Sequence, residues 1–176
     1  MARAVLLMGG NLGDVKDRLL CAQQLINSRI GAVLRCSHCY VSAPWGFEAP
    51  QPFMNQVVIV STDHTPQELL AQIHRIEREL GRNRASEAVE KAATGQRYVS
   101  RPIDIDILFY DDAVISTPEL TIPHPGIAER EFVLAPLCEV MRDRRHPVLG
   151  RTMGELREIL KNGAPVRDAD RTEAPM

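Results

Sequence analysis

Two aspartates separated by a single residue form the part of the sequence best suited to chemistry. In the run 101–109, Arg-Pro-Ile-Asp-Ile-Asp-Ile-Leu-Phe, apolar and acidic residues alternate, a period that predicts a β-strand. Because successive side chains of a strand point to opposite faces, Asp104 and Asp106 share one face. The opposite face is expected to carry the apolar side chains Ile103, Ile105, Ile107 and Phe109. Like charges about 7 Å apart repel each other, so a cation is expected between the two carboxylates.

The kind of cation follows from the kind of ligand. Carboxylate oxygens suit a hard cation such as Mg²⁺, and two carboxylates with open positions suit one or two ions that also bind phosphate oxygens. A pair of surface acids neutralised by nearby arginines is the plainer explanation. The run 101–109 alone does not separate a metal site from such an ion-pair cluster.

Composition limits the kinds of partner. The chain has 176 residues with 44% apolar side chains, enough for one folded domain, which we place at 1–162. Residues 163–176 are polar and proline-bearing, and we expect a disordered tail there. The formal charge of −2 argues against nucleic acid and for a small partner. No apolar run is long enough for a signal peptide or a membrane span, so a cytoplasmic protein is expected.

Two of the four cysteines form a short Cys-Ser-His-Cys group, Cys36 and Cys39. A zinc site would need a second close pair of ligands, which Cys21 and Cys138 do not provide. A redox motif normally opens a helix, whereas the surrounding residues have a strand pattern. Reduced structural thiols are the favoured interpretation.

Hydrophobic periodicity and capping residues outline the elements around the acidic run. Strands are predicted at 3–9, 33–42, 56–62 and 113–116. Asp14 is expected to cap a first helix, and capping boxes that begin at Thr65 and Thr152 predict two more, one ending at Gly81 and one near residue 161. Residues 85–100 have no clear periodicity and are interpreted as a long mobile loop.

The segment 43–55 is unusually rich in aromatic side chains for a connection between strands. It contains three prolines and the only tryptophan of the chain, and long segments of this kind are commonly functional. Trp45, Phe47 and Phe53 could stack on a flat ligand, as a lid would. The Asn55 amide offers donors and an acceptor to the edge of a heterocycle. At least one of the rings is expected instead to pin the segment to the core.

Basic residues lie on both sides of the 85–100 segment. Arg82 and Arg84 precede it, and Arg97, Tyr98 and Arg101 close it. A guanidinium can donate two parallel hydrogen bonds to phosphate oxygens. Closure of this segment would therefore place positive charge over a polyphosphate.

The order of these pieces resembles the hydroxymethyldihydropterin pyrophosphokinase family of folate biosynthesis. The resemblance covers residues 4–140 and rests on these motifs: Gly-Gly-Asn-Leu-Gly-Asp at 9–14, Trp-Gly-Phe at 45–47, Gln-Pro-Phe-Met-Asn at 51–55, Arg-Ile-Glu at 75–77, Gly-Arg-Asn-Arg at 81–84, Arg-Pro-Ile-Asp-Ile-Asp-Ile-Leu at 101–108, Leu-Thr-Ile-Pro-His-Pro at 120–125 and Arg-Glu-Phe at 130–132. It implies a ferredoxin-like α+β fold, with an antiparallel sheet and helices on its faces in α/β/α layers. It also implies transfer of the terminal pyrophosphate of ATP to the pterin hydroxymethyl group, with release of AMP.

The resemblance implies roles for individual residues as well. Asp104 and Asp106 would hold two Mg²⁺ ions, and Arg82 and Arg101 would close over the phosphates and favour the transition state. The ATP-binding residues would be Glu77, Arg84, Tyr98, Thr121, His124 and Arg130. The pterin-binding residues would be Ser42, Ala43, Trp45, Phe53, Asn55 and Phe132. The partners would be ATP and hydroxymethyldihydropterin, with no nucleic acid, no membrane and a monomeric chain.

The chain departs from the family pattern at 98–100, where Tyr-Val-Ser stands in place of the Trp-Gly-Pro of many relatives, and its 85–100 segment is longer than expected. Two other functions remain open: another Mg-dependent nucleotidyl or phosphoryl transferase, and a non-catalytic ferredoxin-like module that binds a small ligand. A transferase with a sugar or nucleic-acid acceptor would not need Phe53, Asn55 and Phe132 together. A non-catalytic module would not need two aligned aspartates beside several arginines.

Overall fold

An antiparallel sheet forms the centre of the fold. The computed structural model describes residues 1–43, 51–96 and 98–163. The strands in these ranges are β1 (Ala2–Gly10), β2 (Gly31–Cys36), β3 (Tyr40–Ser42), β4 (Phe53–Thr62), β5 (Asp104–Tyr110), β6 (Ile115–Ser116) and β7 (Thr121–Ile122). The helices are α1 (Val15–Arg29), α2 (Pro66–Glu79), α3 (Arg84–Thr94), α4 (Glu131–Met141) and α5 (Met153–Lys161), with a 3₁₀ turn at Ile127–Glu129.

The main sheet has the strand order β2-β4-β1-β5, and β3 pairs with β4 on the same side as β2. All the pairings in the described part of this sheet are antiparallel. β1 lies in the interior of the sheet, which suits its uninterrupted apolar run, buried from Ala4 to Met8. β6 and β7 form a separate two-stranded sheet.

Helices cover both faces of the main sheet and give two hydrophobic cores. On one face α1 and α2 bury the side chains Leu19, Ile26, Leu69 and Ile73 against Leu6, Met8 and Ile105. On the other face α4 and α5 bury Leu134, Leu137 and Leu156 against Val5, Leu7 and Val57. These are the α/β/α layers of the predicted α+β fold.

The predicted helix starts are confirmed. The Asp14 carboxylate accepts a hydrogen bond from the backbone N–H of Asp17 at the first turn of α1. Thr65 and Thr152 each form the complete capping box, in which the threonine and a glutamate three residues later satisfy each other's backbone N–H. These short-range contacts depend only on neighbouring residues, so the sequence specifies them directly.

The strand predicted at 33–42 is wrong as one continuous element, because it is divided into β2 and β3. Cys36 pairs with Val58 and Tyr40 with Asn55, so three residues of one chain segment oppose two of the other. Ser37 stays bonded to β4: its N–H donates to the Val57 carbonyl and its hydroxyl accepts from the Val57 N–H, each at 2.9 Å. The strand predicted at 56–62 begins earlier, at Phe53, so Phe53 and Asn55 lie on β4 and not in a loop.

The expected placement of Phe109 is also wrong. Ile107 pairs with Leu6 but Phe109 pairs with Val5, so Leu108 is an extra residue in β5. A bulge of this kind turns the following side chain to the other face of the sheet. Leu108 and Phe109 therefore pack in the core beneath α4, whereas Ile105 and Ile107 pack beneath α1 and α2.

The interpretation of 85–100 as an unstructured loop is wrong over most of its length, because 84–94 form α3. Asn83 caps this helix through its side chain, and Gly95 closes it in the left-handed conformation, at φ 72°. The intervening residues are rich in alanine, glutamate and lysine, which favour helix. The prediction overlooked apolar residues at helical spacing, Ala85, Ala88, Val89, Ala92 and Ala93, which form an exposed face. Glu87 is the one buried residue of the helix.

Two further outcomes concern the ends of the fold. In the described ranges no helix is both long and apolar enough to cross a membrane. The tail predicted to be disordered lies outside the described residues from 164 onward, and the single domain at 1–162 stays a prediction.

Candidate active site

The acidic pair lies at the start of β5, on the face of the sheet covered by α4 and α5. Asp104 is opposite Gly9 and Asp106 is opposite Leu7 in the ladder with β1. The two carboxylates therefore share a face, as the alternation predicted. Their side chains are 23% and 33% exposed, so both are accessible from a cleft.

A buried arginine joins the pair to two glutamates. Nη1 of Arg82 donates to Asp104 at 2.9 Å and to Glu77 at 3.0 Å. Its Nε and Nη2 donate to the two carboxylate oxygens of Glu87, each at 3.0 Å. Burial would lower the pKa of Arg82, but the hydrogen bonds to Glu87 and the nearby carboxylates raise it, so the guanidinium keeps its charge.

The pKa values of the two aspartates are shifted in opposite directions. Burial would raise the pKa of Asp104, but Arg101, at 3.2 Å, and Arg82 hold that pKa below its ordinary value. Burial and the charges of Asp104 and Glu77 raise the pKa of Asp106 from 3.8 to about 8. A cation bound beside Asp106 would offset both causes of this shift and favour the ionised carboxylate.

Glu77 connects this cluster to the body of the fold. It is 1% exposed, and it accepts a hydrogen bond from the Ile105 N–H at 2.9 Å as well as from Arg82. Arg84 reaches its other oxygen at 2.9 Å. Burial, aided by Asp104, raises the pKa of Glu77, and the Ile105 N–H and the two arginines oppose that shift. Glu77 therefore fixes the positions of both arginines relative to β5.

The predicted pterin-binding residues of the described part converge on one cleft. Ser42, Ala43, Phe53, Asn55 and Phe132 line it, together with Tyr98, Arg101, Arg130 and the acidic pair. The Asn55 amide donates to the Ser42 hydroxyl at 3.3 Å and is 4% exposed. Trp45, the remaining predicted pterin-binding residue, lies outside the described residues.

An arginine lies over each of the two phenylalanine rings in this cleft. The Arg101 guanidinium carbon is 5.2 Å from the centroid of the Phe53 ring. The Arg130 guanidinium carbon is 5.9 Å from the centroid of the Phe132 ring. Both distances are in the range of cation–π attraction. Arg101 also lies beside Asp104, at 3.2 Å, so it contacts an aromatic wall and the acidic pair.

Most of the predicted ATP-binding residues line neighbouring cavities. Arg84, Thr121 and His124 line a cavity beside α2 and β7, and Glu77 lines an adjoining one with Arg84. Tyr98 and Arg130 instead line the cleft with the aromatic walls. Asp106 lines both that cleft and the cavity with Arg84, so two ligands bound in them would meet at this carboxylate.

His124 faces Asp106 with a defined ring nitrogen. Its Nδ1 accepts a hydrogen bond from the Gly126 N–H at 3.0 Å, so the neutral ring carries its proton on Nε2. Nε2 is 3.9 Å from the Asp106 carboxylate. Burial, and then the charge of Arg130, lowers the pKa of His124, which favours this neutral form.

Sequence reasoning missed several residues at the site. Gly9 lines the cleft. Its position leaves no room for a side chain, because a Cβ there would lie 2.4 Å from the Asn55 side-chain oxygen. Asn11 is fully buried, and its side chain accepts from the Arg101 N–H at 2.9 Å and donates to the Ser100 hydroxyl at 3.0 Å. Both belong to the glycine-rich turn at 9–14, whose spacing was the only signal that could have indicated them.

The donor set agrees with a metal that is held largely by its substrate. Among the described residues there is no group of three or more His, Cys, Asp or Glu side chains arranged to hold an ion. Asp104 and Asp106 provide carboxylate oxygens alone, and Mg²⁺ typically takes one or two protein carboxylates and completes its shell with water and phosphate oxygens. The residues present therefore fit Mg²⁺ in company with a polyphosphate.

An antiparallel sheet with a carboxylate pair at the start of one strand, flanked by arginines and by two adjoining cavities, defines an enzyme of the phosphoryl-transfer class. The family model of 7,8-dihydro-6-hydroxymethylpterin-pyrophosphokinase matches residues 5–142, and the chain belongs to this family. The predicted family, enzyme class and activity are thereby confirmed.

Relatives from several bacteria carry the corresponding name, 2-amino-4-hydroxy-6-hydroxymethyldihydropteridine pyrophosphokinase. The protein of Porphyromonas gingivalis is 42% identical over 141 residues, which are 80% of this chain and 91% of that protein. The protein of Aquifex aeolicus is 36% identical over 157 residues, 89% of this chain and 91% of that protein. The similarity therefore extends over nearly the whole of both relatives.

Solved structures of Plasmodium falciparum HPPK-DHPS share the fold. The A437G variant with STZ-DHP superposes with a TM-score of 0.72 at 16% identity, covering 96% of this chain and 48% of that one. The wild type with SDX-DHP gives a TM-score of 0.67 at 18% identity, covering 90% and 43%. This chain spans less than half the length of these structures, and the likeness confirms the ferredoxin-like fold.

Proposed function

We propose that the chain transfers the β,γ-pyrophosphoryl group of ATP to the hydroxymethyl oxygen of hydroxymethyldihydropterin. The hydroxymethyl oxygen forms a bond to the β-phosphorus, the bond between that phosphorus and the α,β-bridging oxygen breaks, and AMP leaves. The hydroxyl proton is released. The observation that carries this proposal is the position of Asp106, which lines both the cleft with the aromatic walls and the cavity with Arg84.

The residues that would hold Mg²⁺ are Asp104 and Asp106, with two ions as the expected number. When bound, the metal offsets the charge on the phosphate oxygens and makes the attacking hydroxyl more acidic. The raised pKa of Asp106 supports this assignment, because an additional positive charge beside it would favour its ionised form.

The arginines supply the remaining positive charge around the transferred group. Arg82 and Arg101 each contact Asp104, so their guanidinium groups lie beside the proposed reaction centre. Donors preorganised toward developing negative charge lower the barrier most where water is excluded. Arg84, Thr121, His124 and Arg130 would bind ATP oxygens, and Glu77 and Tyr98 would border the nucleotide.

The cleft with the aromatic walls would bind the pterin. Phe53 and Phe132 would stack on its two faces, and the Asn55 amide would recognise its polar edge with the backbone at Ser42 and Ala43. Trp45 keeps its predicted pterin-binding role as an expectation. A sugar or nucleic-acid acceptor would not make use of this combination, so the pterin is favoured over the acceptor of another transferase.

Three broader expectations stay predictions. A monomer is expected, and sedimentation at assay concentration tests it. A cytoplasmic location is expected, and cell fractionation tests it. A single folded domain at 1–162 is expected, and limited proteolysis of the full chain should remove only residues near its C-terminus.

The test of the reaction is AMP release from ATP, followed with and without hydroxymethyldihydropterin and with Mg²⁺ present or chelated. AMP should form only when the pterin and Mg²⁺ are both present. AMP formation that ignores the pterin, or formation of ADP alone, would show that the acceptor is wrong. An unchanged rate in excess chelator would show that the metal assignment is wrong.

A further inference from the structure

One buried carboxylate beside the acidic pair has no part in the proposed reaction. Glu87 of α3 is 7% exposed, whereas Ala88 and Val89 beside it are exposed. Within the described residues of α3, Glu87 alone is buried. Burial of an ionised carboxylate is unfavourable unless it is paired and hydrogen-bonded, so this position calls for a partner.

That partner is a single guanidinium. Both oxygens of Glu87 accept from Arg82, Oε2 from Nε and Oε1 from Nη2, each at 3.0 Å. A two-point fork of this kind fixes the plane of the guanidinium as well as its position. Contact with one oxygen would leave the guanidinium free to turn.

The fork determines which edge of Arg82 faces the reaction centre. With Nε and Nη2 engaged by Glu87, Nη1 is the nitrogen that points to Asp104 and Glu77, at 2.9 and 3.0 Å. The Arg82 side chain is 6% exposed, so it has little room for another orientation. Glu87 thus lies on the far side of Arg82 from the acidic pair.

We propose that Glu87 is a positioning residue that acts through Arg82, holding the Nε–Nη2 edge so that Nη1 faces the transferred phosphoryl group. This inference rests on the catalytic role proposed above for Arg82. It also gives α3 a function, because the apolar face of this helix is exposed and the helix delivers one buried carboxylate to the back of the arginine.

A carboxylate that only anchored α3 would behave differently. Its removal would lower the stability of the fold and leave the turnover of the folded enzyme unchanged. A positioning residue instead lowers the kcat of the enzyme that remains folded, while substrate binding changes little. A small misplacement of a catalytic group can cost about a hundredfold in rate, so the two roles are separable by experiment.

The experiment is a double-mutant cycle on the full chain, with Glu87→Gln, Arg82→Ala and the two combined. Glu87→Gln keeps the shape and removes the charge and one acceptor, so we expect kcat to fall by about 10- to 100-fold. The KM of the pterin and its equilibrium dissociation constant should change little. The melting temperature should fall, because a buried ion pair loses one charge, so kcat is taken per mole of folded enzyme. In the Arg82→Ala background, Glu87→Gln should have less than about a twofold further effect on kcat.

Glu90→Gln is the matched control, because Glu90 is exposed on the same helix and should tolerate the change without loss of kcat. A Glu87→Gln enzyme with wild-type kcat, or effects that multiply in the double variant, would overturn the inference. Loss of activity only in proportion to loss of folded protein would assign Glu87 to anchoring α3. If Glu87→Gln does not fold, Glu87→Asp is tested instead, because it keeps the charge but is too short for the two-point contact with Arg82. A lowered kcat with retained folding supports positioning, and a wild-type kcat rejects it.

The inference and the proposed role of Arg82 can fail separately. If Arg82→Ala alone leaves kcat unchanged, the proposed role of Arg82 is wrong and the inference fails with it. If Arg82→Ala lowers kcat and Glu87→Gln does not, Arg82 is catalytic and Glu87 does not position it.

Discussion

The Arg101 guanidinium carbon lies 5.2 Å from the centroid of the Phe53 ring, and the Nε of the same side chain lies 3.2 Å from the Asp104 carboxylate. One side chain therefore contacts a wall of the proposed pterin cleft and a proposed metal ligand at the same time. The Arg101 N–H is held by the buried Asn11 side chain at 2.9 Å, which fixes where the side chain starts. Arg101 is thus placed where the two substrates would meet.

We expect Arg101→Ala to lower kcat by about a hundredfold or more, the usual effect of removing one preorganised donor from a transition state. Pterin affinity should fall far less, because the loss there is one cation–π contact with Phe53. Steady-state kinetics with a separate pterin binding measurement check both values. Arg101→Lys keeps the charge but lacks the planar guanidinium, so its kcat should lie between those of the wild type and Arg101→Ala. A large loss of pterin affinity with normal kcat would contradict the proposed role of Arg101 in the transition state.

Asp106→Ala should abolish turnover while the fold survives. The Asp106 carboxylate lies 3.9 Å from Nε2 of His124, whose lowered pKa favours the neutral ring, so little stabilisation depends on this contact. Activity and circular dichroism measured together on one preparation check this. Asp112→Ala is the control, since Asp112 is an exposed acid whose loss should leave the rate unchanged. Near-normal turnover of Asp106→Ala would contradict the proposal that Asp104 and Asp106 hold Mg²⁺.

The sequence was sufficient to predict the acidic strand because a period of two residues specifies which side chains share a face, and the ladder with β1 agrees. Capped helices were predictable for a similar reason, since Thr65 and Glu68 satisfy each other across a single turn. Such features depend on neighbours along the chain. Their prediction needs no knowledge of the tertiary fold.

Features that depend on pairing between distant segments could not be predicted in this way. The bulge at Leu108 becomes visible only against β1, and it moved Phe109 to the other face. The contact of Gly9 with Asn55 likewise requires the register of β1 with β4. The docking of α3 could not be predicted either, because its buried contact is an ion pair with Arg82, and ion pairs have no period in sequence.

The metal-free protein should lose stability as the pH rises from about 4 to about 8. Because burial and the neighbouring carboxylates raise the pKa of Asp106 from 3.8 to about 8, the folded state binds more protons than the unfolded chain between these values. The free energy of unfolding therefore falls with rising pH across this window. Urea unfolding in chelator at several pH values should show a larger fall in the wild type than in Asp106→Asn, because the raised pKa of Glu77 contributes a fall to both proteins. The lowered pKa values of His74 and His124 act on both proteins and cancel in the comparison.

Added Mg²⁺ should stabilise the wild type more at pH 8 than at pH 5, because binding requires the ionised carboxylate. A wild type and variant with parallel pH profiles would contradict the raised pKa of Asp106.

Glu77→Ala should destabilise the fold by roughly 3–5 kcal/mol, the cost of removing one partner from a buried ion pair. The change would leave the buried Arg82 with one carboxylate fewer and the Ile105 N–H without its acceptor. Urea unfolding measures the loss. Glu79→Ala on the same helix removes an exposed ion pair with Arg29 and should cost much less. Equal losses of unfolding free energy in the two variants would show that burial of Glu77 does not add to its contribution to stability.

Gly9→Ala should weaken pterin binding without a direct contact to the pterin. A Cβ at this position would lie 2.4 Å from the Asn55 side-chain oxygen and 3.1 Å from the Met54 carbonyl, so the amide must move. We expect the pterin dissociation constant to rise by about tenfold or more, as Asn55→Ala should also cause, because a recognition site loses strongly when one hydrogen-bonding group is misplaced. Binding titrations of Gly9→Ala, Asn55→Ala and the double variant check this. The double variant should bind no more weakly than Asn55→Ala alone, since Gly9→Ala acts by displacing the Asn55 amide, and multiplied losses would show that Gly9 matters for another reason.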